Sequence, residues 1–132
     1  MSMDSQGKGN KKNLSIVASF RNALEGIKKA IQTERNLKIH LFFTGFIIIV
    51  GSFLSLTKLE WALLVFAIGG MLTAEMINSA IERVVDLVTE EYHPLAKQAK
   101  DMAAGAVFLF AVTSVLVGFI VLGPKLLMYI QP

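Results

Sequence analysis

Cysteine is absent from this 132-residue sequence, which excludes disulfide bonds, thiolate metal ligands and a thiol nucleophile. Charged residues are scarce, at 17% against roughly 25% in soluble domains, whereas hydrophobic residues make up 54% of the chain. The charge is also segregated, because eight of the 13 Lys and Arg residues precede Ile39. The net charge of +3 therefore favours basic residues at an anionic lipid surface over a nucleic-acid partner. The length allows one domain.

The N-terminal quarter of the sequence divides into a polar tail and an amphipathic helix. Residues 1–13 are rich in Gly, Ser and Lys, which predicts a disordered tail and not a cleavable signal peptide. From residue 14 to about residue 33, apolar residues recur at steps of three and four, on one stripe of a helix: Ile16, Phe20, Leu24, Ile27 and Ile31. A basic amphipathic helix beside a membrane span is expected to lie on the membrane surface.

Three apolar segments predict three transmembrane helices and therefore an all-α integral membrane fold. The spans are expected at about 37–56, 60–81 and 102–122, each close to the ~20 residues that a bilayer core requires. The second helix is expected to extend beyond the membrane to about residue 91, before His93-Pro94. Gly123-Pro124 is expected to end the third helix. Eleven Lys and Arg residues lie on one side of these spans and two on the other, which predicts a cytoplasmic N-terminus.

The second helix carries a ladder of polar side chains on one face. Glu82 and Asp86 lie within about 20° of Glu75 around the helix, and Asn78 and Ser79 lie within about 60° of it. A single Glu in an apolar stretch often only pairs with a cation, but several on one face indicate a functional site. Stacked carboxylates repel one another unless a proton or a cation intervenes. Oxygen ligands without a neighbouring His or Cys favour a hard cation such as Mg²⁺.

Mg²⁺ on one or two carboxylates commonly accompanies a nucleoside triphosphate, whose phosphates need binding groups of their own. The sequence contains neither a GxxxxGK[ST] motif nor a GxGxxG loop, so a nucleotide site must be built from helix side chains. Lys97 and Lys100 begin the third helix, where the helix dipole favours phosphate, although Lys97 and Asp101 also have the spacing of a surface ion pair. Glu34 is expected at the depth of Glu82 if the helices pack antiparallel.

Two sequence blocks are distinctive: EMINSAIERVVD at 75–86, and EYHP at 91–94 followed by AKDMAA at 99–104. These blocks resemble the small bacterial diacylglycerol kinase and undecaprenol kinase family. The stretch ERNLKIH at 34–40 is similar to the undecaprenol kinase branch. This resemblance, over about residues 14–122, implies a homotrimeric kinase of the bacterial cell membrane. It also implies that ATP and Mg²⁺ serve to phosphorylate a lipid alcohol, undecaprenol for this branch, at the cytoplasmic face.

The resemblance also implies roles for individual residues. Glu75 is expected to be the general base that takes the proton from the lipid hydroxyl, and Asn78 is expected to position the reacting groups, so that both contact the lipid. Glu34 and Glu82 are expected to hold Mg²⁺. The nucleotide contacts that the resemblance implies are Asn22, Glu34, Glu82, Glu91, Tyr92, His93, Lys100 and Asp101.

Three other functions remain open from the sequence alone. A diacylglycerol kinase would use the same chemistry on a different lipid, and helical periodicity does not distinguish the two substrates. A proton or ion conductor also places Glu in a bundle with small residues, but it predicts polar residues deeper in the membrane than this sequence has. In a membrane scaffold, the polar stripe would be incidental.

Overall fold

A computed structural model describes residues 16–131, and these residues form four helices and no strand. The helices are α1 (Ile16–Thr33), α2 (Arg35–Phe53), α3 (Lys58–Val88) and α4 (Pro94–Ile130). The last three are long and apolar enough to cross a membrane, which confirms the all-α class and the three spans. The expected tail at 1–13 lies outside the described residues.

Ion pairs at both ends of the bundle show that α3 and α4 run antiparallel. At one end, Lys100 Nζ near the start of α4 bonds to Asp86 Oδ1 near the end of α3 at 2.5 Å. At the other end, Lys125 Nζ lies 3.5 Å from Glu60 Oε2 in the first turn of α3. We call the end that contains Asp86 and Lys100 the acidic end of the bundle.

The middle of the α3–α4 interface depends on close backbone approach. A β-carbon on Gly70 would lie only 2.0 Å from the ring of Phe110, so this contact requires glycine. Nearby, Ser114 Oγ donates to the carbonyl oxygen of Ala67 at 3.3 Å, a side-chain-to-backbone bond between the two helices. Small residues and interhelical hydrogen bonds are typical of packing in membranes, where lipid is as apolar as the helix faces.

The helix α2 packs antiparallel to the first part of α3. The short connection after α2 returns the chain so that the indole ring of Trp61 lies against Gly51, at 2.9 Å from the position of an added β-carbon. Thr57 then begins α3 with a capping box, because its hydroxyl accepts from Glu60 N at 3.3 Å and its own N–H donates to Glu60 Oε2 at 2.7 Å. This antiparallel return brings the start of α2 to the acidic end of the bundle.

Two helix ends differ from their predicted positions. The prediction that Gly123-Pro124 ends the third helix is wrong, because α4 continues through Pro124 to Ile130. Proline removes one backbone donor, and membrane helices tolerate it when apolar residues continue the helix, as Leu126 and Leu127 do here. The helix α3 ends at Val88, short of residue 91, because Thr89 is extended and its hydroxyl accepts from Glu91 N at 3.2 Å.

The helix α1 lies at the acidic end and makes few contacts with the rest of the chain. Its apolar stripe is exposed along its whole length, from Ile16 at 76% exposure to Ile31 at 36%. The amphipathic helix that the sequence predicts is therefore present from Ile16, and its apolar face is free to meet lipid.

Candidate functional site

Three polar side chains of α3 are buried at the acidic end of the bundle. Glu75 is 2% exposed, and Asn78 and Ser79 are each 8% exposed. One turn earlier, the buried face of the same helix is apolar and contains Met71. The ladder that periodicity predicts on α3 therefore faces protein and not lipid. Burial decreases towards Glu82, which is half-buried, so the stripe leads from the interior to the surface.

Two oxygen atoms in this stripe lack partners. Within residues 16–131, the buried atoms Glu75 Oε2 and Asn78 Oδ1 have no hydrogen-bond partner. The other end of the Asn78 amide is used, because Nδ2 donates to Glu82 Oε1 at 3.1 Å. Buried polar atoms are normally satisfied, since leaving one unpaired costs about 1–3 kcal/mol. The two oxygens are therefore positioned to receive a ligand.

The junction between α1 and α2 adds a third carboxylate to this end of the bundle. Glu34 is the residue before α2, and its side chain makes no capping bond to that helix. It turns towards α3, where Arg83 Nη2 donates to Glu34 Oε1 at 2.5 Å. The bonds from Arg83, then Thr33, and a smaller contribution from Ser79 hold the pKa of Glu34 below its ordinary value. Glu34 is therefore held against α3 by Arg83, beside the buried stripe.

The first turns of α4 bring cations to the same end. Lys100 reaches across to Asp86 of α3, so the lysine expected to contact phosphate lies beside the acidic stripe. Lys97 pairs with Asp101 on its own helix, as the i,i+4 spacing allows. Asp101 is thus engaged by a neighbouring lysine and exposed to solvent.

The remaining expected site residues lie at the edge of this cluster. Glu91, Tyr92 and His93 are exposed in the connection between α3 and α4. His93 also caps the N-terminus of α4, because its Nδ1 accepts a hydrogen bond from Leu95 N at 3.2 Å. Asn22 is exposed on α1, and residues 16–131 show no bond between it and the other expected site residues.

The donor set at the acidic end suits a hard cation. No group of three or more His, Asp or Glu side chains surrounds one point in the described part of the chain. Mg²⁺ does not need such a cage, because it usually takes one or two carboxylates and completes its shell with phosphate and water. Glu34 and Glu82 supply two carboxylates at the acidic end of the bundle, because Glu34 is bonded to Arg83 of α3 and Glu82 to Asn78 of the buried stripe. The residues present therefore fit Mg²⁺.

Sequence reasoning assigned no role to Arg83, which the structure places in direct contact with Glu34. The available signal was its position four residues after Ser79, which puts both side chains on one stripe of α3. That stripe lies beside the Glu75–Asn78–Glu82 stripe and faces the α1–α2 junction.

Three candidate spans with a buried carboxylate and amide at one end of the bundle define a membrane protein with a candidate polar site. The family model of prokaryotic diacylglycerol kinase matches residues 21–122, and the chain belongs to this family. It is therefore a lipid kinase of the membrane, with a lipid substrate and a nucleotide co-substrate such as ATP.

Individual relatives support the family assignment and differ in their lipid. The chain is 44% identical to the undecaprenol kinase of Bacillus subtilis over 124 residues, which are 94% of this chain and 100% of that protein. It is 43% identical to a diacylglycerol kinase of Synechocystis over 114 residues, 86% of this chain and 65% of that protein. It is 33% identical to the diacylglycerol kinase of Escherichia coli over 75 residues, 57% of this chain and 62% of that protein.

Proposed function

We propose that the protein transfers the γ-phosphoryl group of ATP to the terminal hydroxyl of undecaprenol in a Mg²⁺-dependent reaction. The observation that carries this proposal is the buried carboxylate of Glu75, with an unpartnered oxygen, at the end of three membrane spans. The choice of undecaprenol is supported by the similarity to the Bacillus subtilis enzyme along its whole length. The second candidate is diacylglycerol, which the names of the other relatives favour.

Glu75 is the proposed general base. A lipid alcohol keeps its tail in the hydrocarbon layer and its hydroxyl at the surface, so the base should be the carboxylate closest to the apolar part of α3. Glu75 meets this condition, because residues 61–74 before it carry no charge. Its carboxylate would accept the hydroxyl proton while the alcohol oxygen attacks the γ-phosphorus and ADP leaves in line.

Asn78 is the proposed positioning group between the base and the acidic surface. Its Nδ2 fixes Glu82 at 3.1 Å, and its Oδ1 is buried without a partner in the described residues. The single hydrogen of the substrate hydroxyl goes to Glu75, so Asn78 Oδ1 would accept a hydrogen bond from another donor at the reacting centre, such as a bound water. The same amide therefore orients two groups, one on each side of the reacting centre.

Glu34 and Glu82 are the proposed ligands of Mg²⁺, and they lie on the surface side of Glu75. Bound there, the ion would neutralise charge on the phosphates of ATP. Lys100 would contact phosphate from the second turn of α4, on the side that faces Asp86 of α3. Glu91, Tyr92, His93, Asp101 and Asn22 would surround the rest of the nucleotide.

An apolar cavity provides room for hydrocarbon near the proposed base. It has a volume of about 350 Å³ and lies between α2, α3 and α4. Met71 and Leu72 line it, and they are one helical turn from Glu75. The hydroxyls of Thr44 and Ser114 in its wall bond to the carbonyl oxygens of His40 and Ala67, which leaves a largely apolar lining.

The proposed setting is the bacterial cell membrane, with the N-terminus and the acidic end of the bundle in the cytoplasm. The distribution of Lys and Arg, eleven on this side of the spans and two on the other, supports this orientation. We also propose a homotrimer. Open space at the β-carbon position of Gly69 on α3 allows a neighbouring helix to approach, and the number of three subunits rests on the family resemblance.

A substrate panel tests the proposal. Purified protein in mixed micelles receives labelled ATP, Mg²⁺ and either undecaprenol or diacylglycerol, and the phosphorylated lipids are separated and counted. We expect undecaprenyl phosphate to form with the larger kcat/KM. If the protein prefers diacylglycerol, the proposed substrate is wrong and the proposed site stands. Failure to phosphorylate either lipid, with proton flux through liposomes in the absence of ATP, would overturn the kinase site.

A further inference from the structure

Arg83 joins α3 to the junction between α1 and α2, which is distant from it in sequence. Its Nη2 atom donates to Thr33 Oγ1 and to Glu34 Oε1, each at 2.5 Å. Thr33 is the last residue of α1, Glu34 is the junction, and Arg83 is on α3, almost 50 residues later. We call these three residues the Arg83 clasp. Its hydrogen bonds connect the end of α1 and the start of α2 to α3, the helix that contains Glu75.

The Glu34 carboxylate depends on the clasp for its direction. A carboxylate before a helix commonly bonds to the free backbone N–H groups of that helix, and Glu34 does not. A Glu side chain without such a bond has several rotatable bonds and samples many positions. Arg83 supplies the leading contact that turns Glu34 towards α3, and the Thr33 hydroxyl at 3.0 Å supports it.

We infer that Arg83 is a positioning residue, whose guanidinium holds Glu34 against α3 so that Glu34 and Glu82 can receive Mg²⁺ together. This inference rests on the proposed metal site and adds a residue outside the set of proposed ligands. Groups that orient a metal ligand typically contribute about 10–100-fold to metal affinity. Arg83 is half-exposed, so we expect its contribution to Mg²⁺ affinity to lie at the lower end of this range, about tenfold.

Electrostatic repulsion alone predicts the opposite change in Mg²⁺ affinity when Arg83 is removed, so the direction of the change tests the inference. A guanidinium beside a carboxylate repels an incoming divalent cation, so removing its charge should tighten Mg²⁺ binding if Glu34 stays in place. If Arg83 positions Glu34, removing it should weaken Mg²⁺ binding in spite of the gain in negative potential. The direction of the change therefore separates a positioning residue from a competing counter-ion.

The test measures the Mg²⁺ concentration that gives half-maximal binding of ATP to the purified protein. Arg83→Gln should raise that concentration about tenfold, while the KM for the lipid and kcat at saturating Mg²⁺ change little. Arg83→Lys keeps the charge and one donor group, so it should recover part of the loss. Arg35→Gln is the matched control, because it removes the same charge beside Glu34 at a residue with no assigned part in the site.

A distance measurement supplies a readout without metal or nucleotide. The chain has no cysteine, so spin labels can be placed selectively at Lys28→Cys on α1 and Leu87→Cys on α3, both exposed positions. With Arg83 present we expect a narrow distance distribution, and with Arg83→Gln a broad one. An unchanged distribution, or Mg²⁺ binding that stays equal or tightens in Arg83→Gln, would overturn the inference. An equal loss in Arg35→Gln would do so as well.

The result that would refute the proposed metal site differs from the result that would refute the positioning role of Arg83. If the wild-type protein shows no Mg²⁺-dependent binding of ATP, then the proposed function is wrong, whatever the spin labels report. If the wild-type protein binds and Arg83→Gln is no weaker, only the positioning role is wrong.

Discussion

Replacing Glu75 with Gln removes the proposed base and little else. Glutamine has the size of glutamate, so the packing around this position, which is 2% exposed, should be retained. The substitution also removes the possibility of an uncompensated charge at Oε2, which has no partner in the described residues. We therefore expect a change of less than about 1 kcal/mol in the stability of the bundle.

The expected effect on the reaction is much larger. A positioned general base typically contributes about 10²–10⁴-fold, or about 3–5 kcal/mol of barrier. Glu75→Gln should lower kcat by this factor, with little change in the binding of ATP, because Glu75 lies on the apolar side of the proposed metal ligands. The assay is transfer of label from ATP to undecaprenol in mixed micelles, with expression, thermal stability and oligomeric state measured alongside.

Glu25→Gln is the matched control, since it makes the same chemical change at an exposed residue of α1. It should retain full activity. The assignment of the base is refuted if Glu75→Gln keeps more than about a tenth of the wild-type kcat, well above the loss that a missing base produces. A loss of activity accompanied by an equal loss of folded protein would show that Glu75 is needed for the fold.

Three further predictions concern the metal site, the packing and pH. Glu82→Gln keeps an oxygen for Asn78 and removes a carboxylate, so the MgATP concentration for half-maximal binding should rise at least about tenfold, as titrated calorimetrically. Gly70→Leu should lower stability by about 1–3 kcal/mol through collision with Phe110, whereas Gly45→Leu, with open space at its β-carbon, should not, as thermal unfolding will show. The lowered pKa of Glu34 gives stability that is present above its ordinary pKa and lost as pH falls through the lowered value. The Tm difference between wild type and Glu34→Gln should therefore be present at about pH 7 and decrease as the pH is lowered below the ordinary pKa of a Glu side chain.

Helical periodicity is why the buried stripe could be predicted from the sequence. Glu75, Asn78 and Ser79 follow an uncharged run, and their spacing places them on one face of α3. Because antiparallel return of the chain is the simplest way to connect adjacent spans, the start of α2 was also expected near Glu82. The structure brings Glu34 to α3 in this way.

The features that the sequence did not predict depend on contacts between distant residues or on local hydrogen bonds that compete with the helix. The bond from Arg83 to Glu34 crosses almost 50 residues, and periodicity says which face an arginine occupies but not which acid it meets. Thr89 ends α3 early because its hydroxyl finds a local backbone partner. Pro124 does not end α4, because proline removes only one backbone donor and the apolar residues after it continue the helix. The roles of the site residues stay predictions.

The most direct test of the central claim is a calorimetric measurement of ATP binding to the purified protein, once with Mg²⁺ and once with EDTA. The account predicts saturable binding with Mg²⁺ that is lost when EDTA removes the ion, because Glu34 and Glu82 hold nucleotide through the cation. Absence of binding, or binding that is equally strong in EDTA, would contradict it.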